Sequence, residues 1–522
     1  MADSPALVAD RVAEAGREEH VEHFDVIIVG AGLSGIGAAY HLQKECPTKS
    51  YVILEGRNAL GGTWDLFRYP GVRSDSDMYT LGYRFRPWRN AKAIADGPSI
   101  LRYLCDTANE YGIDRHIRYG HRAKLASWSS AEARWTVEIS RSDGKTVRLR
   151  CNFLSMCSGY YDYAEGYMPG WPGMERFNGE IVHPQKWPDD LDCKDKRVIV
   201  IGSGATSVTL VPAMAETAGH VVMLQRSPSY LLELPSEDFI ANWLRGKVPE
   251  RLAYTLVRWK NVLMAMYLYT KARRKPEKTK RWLMDLAQEA LGPNYDVAKH
   301  FAPRYNPWEQ RLCFIPDGDL FRALRSGKAS MVTDEIEAFT EKGVRLRSGQ
   351  ELEADIIVTA TGLKVQLMGG MEVCVDGERV NLAQTMTYKG MMYSDVPNLA
   401  SSFGYTNASW TLKSDLTAEY VCRLLKHMDA GGYATCIARK RDASITEQPA
   451  VDFSSGYIQR ALNVLPKQGS KRPWRLHQNY ALDMVEFRFA SVEDGTMEFA
   501  RAKKPVPEKA TERAVQPPIH SR

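Results

Sequence analysis

The chain has 522 residues, 44% of them hydrophobic and 25% charged, with a formal net charge of +6. That length exceeds the usual single core, so two or three domains are expected, and the ordinary composition excludes a disordered or fibrous protein. Nine cysteines without a CxxC pair fit neither a disulfide framework nor a zinc site and point to reduced thiols in a cytosol.

Residues 1–23 read as a mixed-charge N-terminal extension, without the apolar stretch of a secretory signal. Phe24 to Val29 is a short apolar run leading into Gly30-Ala31-Gly32-Leu33-Ser34-Gly35, which predicts a buried parallel strand turning into a helix. In such a turn Gly30 allows the tight bend, Gly32 lets backbone approach a pyrophosphate, and Gly35 lets helix pack on strand. A second strand, Tyr51 to Leu54, ends in Glu55, where a carboxylate can accept hydrogen bonds from ribose hydroxyls. Strand, glycine turn, helix and acid together predict a dinucleotide site.

Gly61 to Asp75, with Thr63, Trp64 and a Tyr69-Pro70-Gly71 turn, describes backbone wrapped closely around something flat. Tyr79, Tyr83, Phe85 and Trp88 read mostly as core. Trp128 to Ile139 and Thr146 to Arg150 are predicted strands, joined by the Asp143-Gly144 turn. Phe153 to Gly159 reads as a strand ending in small residues, with Cys151 and Cys157 in the core. Asp355 to Gly362 echoes that element, which predicts two crossings between domains, the second domain inserted in the first.

Between the echoes lies a second unit: an apolar strand, Arg197 to Ile201, running into Gly202-Ser203-Gly204-Ala205-Thr206-Ser207. Ser207 stands where the first unit has its third glycine. The next strand, Val221 to Leu224, ends in Gln225-Arg226-Ser227, with Gln225 at the place of Glu55. A carboxylate there would repel a ribose 2′-phosphate, whereas a neutral residue followed by arginine accepts it, so this unit should prefer NADP(H). Two dinucleotide sites in one chain suggest a flavoprotein. FAD would be held by Gly30, Gly32, Gly35, Glu55, Thr63, Trp64 and Asp75, and NADPH by Gly202, Gly204, Thr206, Ser207, Arg226 and Ser227. Disulfide reductases share the plan but need a redox-active cysteine pair, and none is visible.

Phe177 to Pro188 spells FxGxxxHxxxWP, and Gly61 to Asp75 spells GGxWxxxxYPGxxxD. In both motifs the chain resembles the Baeyer–Villiger monooxygenases, class B flavoproteins, over about Phe24 to Ala500. In runs such as Gly404-Tyr405-Thr406-Asn407-Ala408-Ser409-Trp410 it is similar to the ethionamide-activating subgroup. The resemblance implies a cycle in which NADPH reduces FAD and the reduced flavin takes up O2 as a C4a-peroxyflavin. That species attacks a ketone to give an ester or lactone, or oxygenates the sulfur of a thioether. It also implies that Arg311 supplies positive charge beside the flavin and that Asp75 holds this arginine in place. Many members carry a lysine where this chain has Gln310. Phe177, Gly179, His183, Trp187 and Pro188 are implied to form the interdomain hinge. An S- or N-oxygenase stays open as an alternative, as does a redox sensor without oxygenating role.

From about residue 235 to 300 the pattern turns helical, and Leu252, Leu256, Trp259, Leu263 and Met266 fall on one helix face. Residues 258–281 hold nine Lys/Arg and one acid. Two readings stay open: a solvated face, or peripheral contact with an anionic membrane on the cytoplasmic side. No nucleic-acid motif accompanies the basic run. The last residues, rich in proline and charge, read as a disordered tail.

The expected architecture is α/β with two Rossmann-like domains, the FAD and NADPH folds, the second inserted in the first and carrying a helical insertion. Its boundaries are 24–165 and 356–500 for the FAD-binding domain, 166–189 for the linker, 190–355 for the NADPH-binding domain and 501–522 for the tail.

Overall fold

The computed structural model describes residues 21–310, 312–450 and 454–502. Most of the N-terminal extension and of the tail, together with Arg311, therefore lie outside the described residues.

The first apolar run forms the strand Glu22–Val29, beginning slightly earlier than the predicted boundary. It pairs in parallel with Tyr51–Leu54 on one side and Thr146–Met156 on the other, with Val26 opposite both Tyr51 and Phe153. Leu399–Ser401 adds a further parallel strand beside Thr146–Met156. Helix Leu33–Glu45 packs over this sheet and against the long helix Trp410–Gly431. The predicted single strand Trp128 to Ile139 is instead two, His121–Ser129 and Arg134–Arg141, paired antiparallel. Positive φ at Ala133 (50°) marks the turn between them. Buried residues alternate at Ala126 and Trp128 before the turn and at Ala133, Trp135 and Val137 after it, with Ser130, Ala131 and Glu132 exposed between them, so the inward face changes phase at the turn. Thr146–Met156 is one strand of 11 residues that absorbs both the segment after Gly144 and the first half of the Phe153 element.

The second sheet is wholly parallel, in the order Ala329–Thr333, His220–Gln225, Arg197–Ile201, Ile356–Thr359, Glu180–Val182. Two expected boundaries move as a result. Ile356–Thr359 belongs to this sheet and not to the returning first domain, and Glu180–Val182, expected within the linker, is its edge strand. The cause is pairing: three apolar residues beside Asp355 find partners on both sides, Ile357 opposite Ile199 and Ile181. The true crossings are Tyr161–Gly166 and Leu363–Val365, which pair antiparallel as a two-stranded ribbon between the folds.

The helical insert comprises Phe239–Leu244, Glu250–Arg274 and Pro276–Leu291. It straddles the two cores. Tyr254, Val257 and Val262 join the first, Ala287 and Leu291 the second. Of the predicted face, Leu252, Leu256 and Leu263 are 49%, 50% and 56% exposed, while Trp259 and Met266 are partly buried against the first core beside Tyr254, Val257 and Val262. Spacing shows that a stripe exists but not which stripe meets the body.

All nine cysteines are free, with Cys151 and Cys157 buried as expected. Among the described residues no helix is long and apolar enough to cross a membrane.

Candidate functional site

The first turn is tight enough to need its glycines. Gly30 has φ 106°, and a Cβ there would lie 2.5 Å from the carbonyl oxygen of Cys157; a Cβ on Gly35 would lie 1.8 Å from the oxygen of Gly30. Gly32, in contrast, meets only the glycine backbone at Gly62, which lies at van der Waals distance. Glu55 is buried at the end of its strand and accepts hydrogen bonds from the amides of Ala31 (2.9 Å) and Arg57 (2.9 Å). Burial raises its pKa, and these two amides oppose the rise. Arg57 in turn bridges to Asp65 at 2.6 Å and so ties the Glu55 loop to the Gly61–Asp75 segment.

From Glu55 a small cavity of about 130 Å³ runs past Gly30, Gly32 and Tyr163. It shares Gly32, Gly62, Cys157, Tyr161 and Tyr163 with a larger cavity of about 330 Å³. The result is one groove with an acid at one end, bare backbone in the middle and aromatic rings at the other. That shape suits an elongated dinucleotide ending in a flat ring system.

The larger cavity collects Thr63, Trp64 and Asp75 from the second motif. Thr63 and Tyr161 share a hydroxyl–hydroxyl hydrogen bond of 2.6 Å. Trp410 stacks on Tyr160 with ring centroids 5.3 Å apart and donates from its indole N–H to Ser34 Oγ (2.9 Å). Ala205 and Thr209 from the second unit, with Cys313 and Phe314, close the far wall. The cavity is therefore built by both folds. Arg311 lies outside the described residues, two positions before Cys313 on this wall. Sequence reasoning missed Tyr160, Tyr161, Tyr163 and Arg57. The dense tyrosines following the Gly159 turn were the available signal.

In the second unit Gly202 has φ 138°, and a Cβ there would meet Ala360 O at 2.4 Å and Ser207 Oγ at 2.8 Å. Ser207 thus packs its hydroxyl against Gly202, close to the strand-to-helix turn, where a glycine would leave a gap. Gly204 has open space beside it, free for a ligand. Thr206 is engaged by the first domain: the Tyr69 hydroxyl bonds to it, and burial pushes the Tyr69 phenol up to about 12. Gln225 does not face a ligand as expected. It is buried and donates to His300 O (2.8 Å) and Thr333 Oγ1 (2.9 Å), locking the end of the sheet. Arg226 and Ser227 follow it into solvent.

The FxGxxxHxxxWP segment stands apart from the cavity, at the ribbon. Phe177 is buried against Phe339, Gly179 lies against the Asp355 carbonyl, and Trp187 packs on the second core, with Pro188 beside it. The His183 imidazole rests on Gly166 of the ribbon, so closely that a Cβ on Gly166 would lie 1.9 Å from its Cε1. Burial lowers the His183 pKa, opposed by the backbone of Gly362 and Tyr167. Gln185, which the sequence reading passed over, donates to Asp162 O at 2.7 Å and makes a second tie to the ribbon.

Two outcomes follow from this packing. His183→Ala and Gly166→Ala should both retain FAD yet turn over more slowly, because each disturbs the joint and neither lines the cavity. Stopped-flow reduction and steady-state kcat check this, and loss of flavin from either variant would place the joint in cofactor binding instead. The neutral imidazole is favoured in the fold, so its contribution is complete above the ordinary histidine value near 6.5 and is lost as pH falls from there through the lowered native pKa. Wild-type stability should fall over that acid window more steeply than that of His183→Gln, as followed by thermal unfolding.

Two parallel dinucleotide folds that share one cavity define a two-nucleotide oxidoreductase of the flavoprotein type. Residues 96–426 match the model of the flavin-binding monooxygenase-like family, and residues 28–95 that of an NAD(P)-binding Rossmann-like domain. The FAD-containing monooxygenase EthA of Mycobacterium tuberculosis is 56% identical over 486 residues, covering 93% of this chain and 99% of that protein. The chain belongs to the flavin-binding monooxygenase-like family. In fold it is similar to a steroid monooxygenase bound to NADP, with TM-score 0.74 and 20% identity, covering 92% of this chain and 100% of that one. An ε-caprolactone-bound cyclohexanone monooxygenase gives TM-score 0.71 and 18% identity, with 92% and 100% covered.

Proposed function

We propose that the protein is an FAD-dependent monooxygenase that consumes NADPH and O2 and inserts one oxygen atom beside a ketone carbonyl, giving an ester or lactone. The same oxygen transfer would reach the sulfur of a thioether. The overall balance is ketone + O2 + NADPH + H⁺ → ester + NADP⁺ + H2O.

The observation that carries this reading is the single cavity lined by Gly32, Thr63, Trp64 and Asp75 of one fold and by Ala205, Thr209 and Phe314 of the other. It fits a flavin ring that must meet a nicotinamide on one side and a substrate on another. FAD belongs in the groove from Glu55 to Trp410, and NADPH at the open backbone of Gly204 with Arg226 and Ser227. The bound flavin supplies hydride acceptance from NADPH and activation of O2. The chain supplies the surroundings: Tyr160, Phe403 and Trp410 keep water out, and Arg311, oriented by Asp75, offers fixed positive charge to developing negative oxygen. EthA is named as FAD-containing and the steroid monooxygenase is bound to NADP, in keeping with both assignments.

The deciding experiment follows NADPH oxidation with linear, cyclic and aryl ketones and with thioethers, the products being identified by mass. Esters or lactones are expected. Sulfoxides or N-oxides without any ester would make it an S- or N-oxygenase, and NADPH oxidation without product would leave a redox sensor.

Coenzyme choice has its own test. A charge-assisted contact to phosphate contributes about 1.5–3 kcal/mol. Arg226→Ala should therefore raise KM for NADPH roughly tenfold to a hundredfold and leave NADH little changed. Equal loss with both coenzymes would make Arg226 structural.

A further inference from the structure

The helical insert carries a surface that neither dinucleotide fold explains. Helix Glu250–Arg274 is held to the body by Arg258, whose buried guanidinium donates to the carbonyls of Tyr79 (2.7 Å) and Gly82 (2.8 Å) and lies 3.8 Å from Asp415 Oδ2. One member of the basic run is thus an internal anchor, and Lys260 is paired with Asp238 at 2.5 Å. The opposite face of the helix is apolar and uncovered. Leu252, Leu256, Leu263 and Tyr267 recur at helical spacing on it, each about half exposed. The neighbouring helix Phe239–Leu244 adds Phe239 and Trp243, 80% and 54% exposed.

Cations border this stripe. Lys247 Nζ sits 4.2 Å from the ring centroid of Trp243, and Lys271 Nζ sits 5.9 Å from that of Tyr267 and 5.4 Å from that of Trp282. Arg274, Lys275, Lys278 and Arg281 are exposed beyond the stripe. Glu277 is the one acid within residues 258–281, and Glu250, at the other end of the helix, is bridged by Arg89 at 2.7 Å.

We propose that this face docks the protein on an anionic lipid bilayer surface, with the leucines and aromatics entering the acyl boundary and the lysines and arginines meeting lipid phosphates. Charge decides the occupant. A second copy seated on the same face would set a basic rim against a basic rim, and a nucleic acid would leave the apolar stripe in water. The inner side of the same helix fits the idea. Asn261, Ala265 and Met266 line a small cavity with Ala408, and Ala408 also lines the large cavity. On the function proposed above, a lipophilic substrate dissolved in the bilayer would reach the flavin along this helix.

The test is co-sedimentation of the full-length holoenzyme with vesicles of phosphatidylcholine alone or mixed with an equal part of phosphatidylglycerol. Binding to the mixed vesicles only, weakening as salt is raised, is expected. Each positive charge near the surface contributes roughly fivefold, so K271Q/R274Q/K275Q/K278Q should lower partitioning by about a hundredfold or more. L256S/L263S/Y267S should lower it at low and at high salt alike. Both variants should keep wild-type flavin content and thermal unfolding, readouts that do not depend on which substrate the enzyme oxygenates. Wild-type protein left in the supernatant with mixed vesicles at low salt overturns the proposal. So does a concentration-dependent dimer in sedimentation velocity that the apolar variant abolishes, which would assign the face to a second copy.

Discussion

Arg311→Ala is expected to oxidise NADPH while forming almost no ester. Oxygen transfer develops negative charge on oxygen beside the flavin ring, and a guanidinium is always charged and offers several donors. Losing one such donor typically costs about 10²–10³ in rate. Flavin binding and reduction should survive, because the substitution removes charge needed for oxygen transfer and leaves Glu55, Thr63, Trp64 and Trp410 in place. The reducing equivalents should then leave as hydrogen peroxide. Asp75→Ala should show a milder form, since in the proposed function it serves only to orient the arginine. Quantifying ester by mass against peroxide released per NADPH measures the split. Ester formation at the wild-type rate in Arg311→Ala would move the positive charge to another residue.

The largest loss of stability is expected at Lys413 and Asp483. Their Nζ–Oδ2 distance is 2.7 Å with both side chains buried, and Asp483 also accepts from the Tyr405 hydroxyl at 2.7 Å. Lys413 Nζ lies 4.0 Å from the ring centroid of Phe487, so the ammonium has aromatic as well as ionic company. Burial lowers the Lys413 pKa, and Asp483 opposes that. Removing one partner of a buried pair leaves the other charge stranded, at a cost of about 3–5 kcal/mol. Asp483→Ala and Lys413→Ala should each lose about that much in denaturant unfolding, while Lys413→Met/Asp483→Leu should lose distinctly less than the sum. Strict additivity would show that the pair is not coupled. Because Tyr405 lines the large cavity, Asp483→Ala should also loosen that wall, which a broadened flavin spectrum would report.

His477, Asp483 and Glu486 lie close enough together to suggest a metal site. Their charge is already met from within the chain. Lys413 sits on Asp483, and Lys389 Nζ lies 3.4 Å from Glu486. The cluster belongs to the support of the cavity wall.

Local signals carried much of this protein into view. Apolar runs that end in closely spaced glycines are legible because a strand-to-helix turn requires small residues at fixed intervals, and the structure uses Gly30, Gly35 and Gly202 in that way. The Asp143-Gly144 turn was legible for the same local reason, and it joins Arg134–Arg141 to Thr146–Met156. What needed partners distant in sequence was not legible. Ile356–Thr359 looked like the start of the returning domain, and only pairing with Arg197–Ile201 and Glu180–Val182 assigns it to the second sheet. Gln225 read as a ligand-facing neutral residue, and only the approach of His300 and Thr333 turns it inward.

The sequence by itself determined the two dinucleotide units, their order, the insertion of one in the other and the family. These depend on residue types at short spacing, where backbone geometry leaves few choices. Only the tertiary structure decided that both units open on one cavity, that His183 rests on Gly166, and that the leucine stripe of the insert faces outward. A periodic face has no preferred direction until a body exists to cover it, and Arg258, reaching across to Tyr79 and Gly82, selects the side that is covered.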